Sequence, residues 1–303
     1  MQLFIEAIKE LDFGSDVARL FHGRGGCYPG AEHLCLDWFA PVVLLTSFKS
    51  LTDDELAVII EAIEQRWAEL DRESQLNLVF QYRAGGETHT EIMSGEVPEK
   101  HVVTENGAQF QVHLLKGQNH GLFLDMSNGR QWVRENSAAK RVLNLFAYTC
   151  GFSVAALQGK AAEVVNIDMS KGSLSIGKQN HLLNGFGSGA RFLGHDIFKS
   201  WGKLTKLGPY DLIIADPPSN QKGSFVATKD YARLLKRLPS LLADDGDIVL
   251  CLNAPELSLD FLKGQVAEYS PSLTLAEQLQ NPAVFHDVDA NKALKVLRYR
   301  IES

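Results

Sequence analysis

The sequence runs to 303 residues, 45% hydrophobic and 22% charged, enough chain for one large or two medium domains with cores of their own. A net charge of -7 excludes a surface that is basic throughout, while leaving room for a local cationic patch. No apolar run reaches the ~18 residues that a bilayer demands.

The first sixteen residues, MQLFIEAIKELDFGSD, carry early acids and no continuous apolar stretch, so they do not read as a signal peptide. A cytoplasmic protein is expected. The four cysteines, Cys27, Cys35, Cys150 and Cys251, form no CxxC pair and have no histidine at zinc-finger spacing. They read as reduced, mostly buried thiols, and no metal is expected.

In chain order, the glycine-rich stretch 23–26 lacks the GxxxxGK[ST] spacing of a phosphate loop and reads as a turn. Residues 41–47 form an apolar strand. A helix is expected over 51–70, because Thr52 and Glu55 make a capping box and Leu56, Ile59, Ile60, Ile63, Trp67 and Leu70 recur at helical spacing. Strands follow at 76–82 and 110–115, separated by polar and glycine punctuation at 84–87 and 105–107. Residues 1–105 therefore read as a small α+β domain and 106–303 as a second domain.

From Arg141 the pattern alternates between strand and helix. Strands are expected at 142–146, 164–167, 191–193, 212–215 and 248–252, and helices at 151–158, 171–183 and 229–242. This order implies an α/β fold, a Rossmann-like, doubly wound and mostly parallel sheet with right-handed crossovers. In such sheets ligands sit beyond the carboxyl ends of the strands, so the residues just after each strand carry the interest.

After the first strand comes Asn144-Leu145-Phe146-Ala147-Tyr148-Thr149-Cys150-Gly151, a tight turn into a helix N-terminus but not a GxGxxG fingerprint. After the second stands Asp168, where a carboxylate can accept both hydroxyls of a ribose. After the third comes Gly194-His195-Asp196, and after the fourth Asp216-Pro217-Pro218-Ser219, whose prolines remove two N–H donors and stiffen the turn. Singly, each has an ordinary structural explanation: a helix cap, a packed histidine, a rigid turn. Their appearance in order after successive strands is what points to a ligand.

The stretches Gly121-Leu122-Phe123-Leu124-Asp125, Val142–Thr149, Ile167-Asp168-Met169-Ser170 and Asp211–Pro218 resemble the class I, S-adenosylmethionine (AdoMet)-dependent methyltransferases that modify bacterial 23S ribosomal RNA. Phe21-His22-Gly23, Pro29-Gly30 and Leu36-Asp37-Trp38-Phe39 are similar to the small domain that precedes the methyltransferase in those proteins. The resemblance covers two branches, the 5-methylcytosine enzymes and a guanine-N7 domain fused to a guanine-N2 partner.

It implies a cofactor site of Phe123, Asp125, Asn144, Phe146, Tyr148, Thr149, Gly151, Asp168, Met169, Asp196 and Ile197, with Asp168 on the ribose and Asp196 on the adenine. It implies a catalytic turn of Asp216, Pro217, Pro218 and Asn253 facing the target base. The cytosine branch places a nucleophilic cysteine in the turn after the fifth strand. Here that turn reads Leu252-Asn253-Ala254-Pro255, with Cys251 inside the strand, so the resemblance favours a guanine. Against the family pattern, Cys150 stands where a glycine is usual, and Ser127 replaces an arginine while Arg130 keeps the second.

RNA is the partner expected, through Lys222, Lys229, Arg233, Lys236 and Arg237 around the Asp216 turn, several of them on one helical face. A homo-oligomer is compatible with the sequence. Cytosine C5, a protein or a small molecule as methyl acceptor stays open, as does a non-catalytic AdoMet-binding scaffold.

Overall fold

The computed structural model describes residues 1–221 and 223–301. The chain divides into two compact units. The first comprises Met1–Asp125 with Pro282–Ala290, and the second Met126–Asn281 with Asn291–Ser303.

The first unit contains α1 (Gln2–Lys9), β1 (Ala18–His22), β2 (Leu34–Phe39), β3 (Val42–Ser47), α2 (Asp53–Glu69), β4 (Asn77–Ala84), β5 (Glu87–Ser94), β6 (His101–Glu105) and β7 (Ala108–Val112). Strands β1 to β5 form one sheet in sequence order, with β3 and β4 parallel across the α2 connection. Helix α2 starts where its capping box directs it: Thr52 accepts from the Glu55 N–H, and Glu55 accepts from the Thr52 N–H. Its buried Ile59, Ile63 and Trp67 pack with Phe4 and Ile8 of α1 on Leu34, Leu36, Leu45, Leu78 and Phe80 of the sheet.

The sequence punctuation at 105–107 is no domain boundary. Asn106 and Gly107 both have positive φ, 50° and 75°, and join β6 to β7 as a two-residue hairpin turn. The division between the units falls after Asp125 instead, and the first unit also takes in Pro282–Ala290. The hairpin explains why the expected strand at 110–115 ends at Val112, once the pairing with β6 is exhausted.

The second unit holds α3 (Ser127–Glu135), β8 (Arg141–Leu145), α4 (Gly151–Gln158), β9 (Glu163–Asp168), α5 (Lys171–Leu183), β10 (Ala190–Gly194), α6 (Trp201–Leu207), β11 (Tyr210–Ala215), the two-residue strands β12 (Asn220–Gln221) and β13 (Phe225–Val226), α7 (Ala227–Leu235), β14 (Leu242–Leu252), α8 (Leu259–Tyr269), β15 (Leu273–Leu279) and β16 (Lys295–Ile301). Seven of the strands make one sheet in the order β10-β9-β8-β11-β14-β16-β15. Only β16 runs against the others. One face buries Leu143, Leu145, Ile213 and Leu250 against α7 and α8, and the other buries Val142, Val164, Leu212 and Val249 against α3 and α4. Burial on both faces is why these strands read as apolar runs.

The long helix expected at 229–242 is interrupted. Helix α7 ends at Leu235, and a 3₁₀ turn over Leu238–Leu241 follows with Pro239 at its start. Proline lacks the N–H that would continue the helix and disfavours helical geometry in the residue before it. Lys236 and Arg237 thus lie beyond the helix and do not extend a basic face from Lys229 and Arg233.

Candidate functional site

The loop from β8 into α4 sets the site. Three non-glycine residues in it take left-handed backbone, Phe146 (φ 56°), Tyr148 (47°) and Cys150 (64°). Each costs roughly 1–2 kcal/mol, so the surroundings must impose it. The clamp is Asp168 at the end of β9. Its Oδ2 accepts from the Tyr148 N–H (2.9 Å) and its Oδ1 from the Ser170 N–H (2.7 Å), while the Ala147 N–H donates to Ile167 O (3.1 Å). Asp168 is half-buried, and a carboxylate with one bond to each oxygen keeps further lone pairs for a ligand.

Cys150 does not crowd this loop. Its thiol is fully buried and packs where Gly177 of α5 leaves room, since a Cβ on Gly177 would lie 2.5 Å from the sulfur. Burial, reinforced by the Asp168 carboxylate, pushes its pKa up and keeps it protonated. Thr149 is also buried and offers its carbonyl to Asn180 (3.0 Å), while Gly151 opens α4.

Asn144 faces inward rather than toward the strand ends. It is 1% exposed, and its amide donates to Asn166 Oδ1 (2.9 Å). A directed chain continues: Asn166 donates to Ser153 Oγ (2.9 Å), and Ser153 donates to His181 Nε2 (2.8 Å). His181 Nδ1–H donates to Gly177 O (2.7 Å), which fixes the ring's tautomer. Burial lowers the His181 pKa and holds the ring neutral. Asn144 thus braces the loop from beneath.

At the end of β10, Asp196 caps a 3₁₀ turn by accepting from the Phe198 N–H (2.9 Å) and lies 3.7 Å from Lys199. It borders a cleft of about 280 Å³ whose walls include Phe198, Phe225, Val226 and Arg233. Phe198 stacks on Phe225 (6.4 Å, 16°), Phe146 meets Phe225 edge-on (5.3 Å), and the Arg233 guanidinium lies 4.1 Å from the centre of the Phe198 ring. The cleft thus lies between the β10 end, the β12–β13 hairpin and the start of α7, and its Phe225 wall in turn touches Phe146 of the β8 loop.

The turns after β11 and β14 come together. Ser219 donates its hydroxyl to Asn253 O, linking the Asp216-Pro217-Pro218 turn to the Asn253 turn. Tyr231 of α7 donates to Cys251 O, and its pKa is raised well above the ordinary value by burial and then by Cys251 and Asp216. Lys295, the first residue of β16, is 1% exposed and donates to Ala254 O (3.0 Å). Asp216 and Pro218 are half-buried, Pro217 is buried and Asn253 is exposed. The sequence reading included Ser219 in the turn without giving it a role, and passed over Tyr231, Phe225 and Lys295. A lysine within the apolar run Leu294-Lys295-Val296-Leu297 was the one visible signal among them.

Other expected residues are scattered. Ile197 belongs to the core at 3% exposure, whereas Met169 is 49% exposed. Phe123 and Asp125 fall in the first unit. Lys222 lies outside the described residues. Arg233 is paired with Asp230 (2.7 Å), and the Lys236 ammonium sits 5.0 Å from the Tyr269 ring.

Residues 18–300 match the family described as S-adenosylmethionine-dependent methyltransferase. The ribosomal RNA large subunit methyltransferase I of Aeromonas salmonicida is 33% identical over 192 residues, 62% of this chain and 48% of that protein. The methyltransferase K/L of Psychrobacter sp. is 40% identical over 168 residues, 53% of this chain and 21% of that protein. The chain thus spans about half the length, or less, of these curated relatives. Among solved structures, the protein SMU.776 crystallised with SAH superposes with a TM-score of 0.86 at 25% identity, covering 99% of this chain and 81% of that one. The tRNA m1G37 methyltransferase of M. jannaschii, at 15% identity and a TM-score of 0.61 over 88% of this chain and 72% of that one, shares the fold.

Proposed function

Because the chain belongs to the S-adenosylmethionine-dependent methyltransferase family, we propose that it methylates a base of RNA, a guanine of 23S ribosomal RNA. The observation that carries this reading is the pairing of the Asp216-Pro217-Pro218-Ser219 turn with an Asn253 turn that offers no thiol. Relatives at 33% and 40% identity that act on large-subunit ribosomal RNA support the choice of acceptor.

The residues present fit the cofactor. Asp168 accepts the ribose hydroxyls with the lone pairs its two backbone bonds leave. Asp196 accepts the adenine amino group at the rim of the cleft, and Phe198 and Phe225 supply the flat apolar walls that a purine needs. Bound AdoMet supplies a methyl group made electrophilic by its sulfonium. A ring nitrogen with a free lone pair then needs orientation more than a strong base, and positioning carries most of the rate.

Orientation is what the two linked turns provide. Asp216 offers acceptors beside two residues that cannot donate, which suits the N1 and N2 donors of guanine. Ser219, Tyr231 and Lys295 hold the opposing turn through the carbonyls of Asn253, Cys251 and Ala254. Attack by a thiolate on cytosine is disfavoured by the same geometry, because Cys251 and Cys150 are both fully buried.

Asp216→Asn should keep AdoMet affinity within about 1 kcal/mol and lose roughly 10²-fold or more in turnover, since it orients the base and not the cofactor. Calorimetry with AdoMet and transfer of labelled methyl to ribosomal RNA read the two quantities. Equal damage to both would move Asp216 into the cofactor shell, and mass mapping of modified nucleosides would identify the base.

A further inference from the structure

The two faces of the first unit's main sheet differ in composition: one is apolar, and the other carries charged and polar side chains beside buried Phe39, Val42, Leu44 and Val79. Leu34, Leu36 and Trp38 of β2, with Leu78 and Phe80 of β4, lie in the cluster shared with α1 and α2. Strand alternation sends Cys35, Asp37, Gln81 and Arg83 to the opposite face, where Arg19 of β1 joins them. Arg19 pairs with Asp37, and its second nitrogen reaches His22 Nδ1 (2.8 Å) and Cys35 Sγ (3.1 Å).

Two further guanidinium groups converge here. Arg24 lies 4.4 Å and Arg83 5.3 Å from the centre of the same Phe48 ring. Among the described residues, neither Arg24 nor Arg83 has an ion pair. Arg83 Nε is buried with no hydrogen-bond partner, and its terminal nitrogen has only a long contact to Gln118 (3.4 Å). Buried guanidinium N–H groups are rarely left unpaired, because each loses its water without replacement.

The surrounding electrostatics are positive. Burial and then the Arg19 and Arg24 charges lower the His22 pKa to about 4, so its ring is neutral at pH 7. Burial and then Arg24 also lower the Arg83 pKa. Asp37 is committed to Arg19, and Asp125 adds a second carboxylate that acts on Arg19. With Arg19 compensated, the two guanidinium charges of Arg24 and Arg83 would be stabilised by an anion.

We propose that this face binds a phosphate oxyanion of an RNA strand through Arg24 and Arg83, with the Arg19–Asp37 pair fixing the sheet behind them. A planar guanidinium with an unmade Nε bond presents the two-nitrogen fork that matches a phosphate. Arg24 brings a second charge that the rest of the unit does not use. The assignment rests on RNA being the methyl acceptor and adds to it a backbone contact outside the methyl-transfer site.

The test uses the full chain, a fluorescein-labelled single-stranded RNA oligomer, and the variants Arg24→Gln and Arg83→Lys. Arg24 is exposed, so its replacement leaves the fold intact, and Arg83→Lys keeps charge while removing the fork. Each variant should bind the oligomer several-fold more weakly by anisotropy. Arg24→Gln should also reduce the slope of log affinity against log salt by about 0.7, the share of one phosphate contact on a single strand.

Equal RNA affinity and slope for wild type and both variants would overturn the assignment. Inorganic phosphate that raises the Tm of the wild type but of neither variant, with RNA binding unchanged, would give the site to a free anion and likewise overturn the RNA reading. AdoMet titration of the same proteins reports separately on the methyltransferase reading: wild type without AdoMet affinity sinks that reading, whereas the oligomer data decide the arginine site alone.

Discussion

Asp168 does two jobs that pull on one carboxylate. It takes the Tyr148 and Ser170 N–H groups and so holds a loop with three strained residues, and it is the acceptor nearest a bound ribose in the proposed site. The ligand role was proposed from the sequence, because an acid after the second strand of a doubly wound sheet has a specific use. The structural role was not, since nothing in Phe146-Ala147-Tyr148-Thr149-Cys150 announces left-handed backbone without a glycine.

The two roles separate by measurement. Asp168→Ala should weaken AdoMet binding by roughly 1.5–3 kcal/mol, the usual loss for a charged acceptor, and should also lower the thermal midpoint in the absence of AdoMet. Asp168→Asn, which keeps one acceptor oxygen, should restore part of both. Calorimetry beside thermal unfolding reads them, and an Ala variant with wild-type affinity would remove Asp168 from the cofactor site.

The elements legible in advance are those with a strong periodic or cap signal. Helix α5 begins and ends where the sequence reading placed it, and α2 begins at its capping box. Missed were β15, whose polar Thr274, Glu277 and Gln278 reflect a sheet edge rather than a buried run, and β16, an inner strand whose apolar pattern is broken by Lys295, Arg298 and Arg300. The contact between the β8 loop and α5 was also invisible, because it depends on a pair 27 positions apart, Cys150 and Gly177. A Cβ at Gly177 would meet the Cys150 sulfur at 2.5 Å, its Cβ at 3.0 Å and the Thr149 carbonyl carbon at 3.3 Å. Gly177→Ala should therefore destabilise the protein by roughly 1–3 kcal/mol, the cost of overpacking, despite alanine's better helix propensity. In a Cys150→Gly background most of that cost should vanish, because the obstructing side chain is gone and glycine accepts φ 64° freely. Denaturant unfolding of the four proteins in this cycle gives the coupling, and additive effects would show that the two sites do not communicate.

At the scale of the whole second unit, a single carboxylate ties both halves of the sheet. Asp247 in β14 is 2% exposed and accepts from Arg298 (2.8 Å) and Arg300 (2.7 Å) of β16 and from Lys140 (3.3 Å), just ahead of β8, while Arg298 reaches Glu277 of β15 (2.6 Å). Burial would raise the Asp247 pKa, but the hydrogen bonds from Arg300 and Arg298 and the nearby charges prevail and bring it below 3.8. A folded-state pKa below the unfolded one means that protons favour the unfolded chain. The stabilisation is complete above the unfolded value, near pH 4, and is lost as the pH falls through the lower folded value.

Asp247→Asn should cost about 3 kcal/mol at pH 7, because it leaves Arg298 half-buried without its counter-charge. It should also flatten the dependence of stability on pH below about 4. Strand β14 leads directly into the Asn253 turn, and β16 begins with the Lys295 that holds Ala254. Loosening the β14–β16 pairing should therefore impair methyl transfer before it unfolds the unit, with turnover falling at a denaturant concentration where the circular dichroism of the sheet is still intact. Urea titrations of wild type and Asp247→Asn at pH 7 and pH 3, followed by both signals, decide the point: coincident loss of activity and sheet in the variant would mean that the ion cluster serves stability alone.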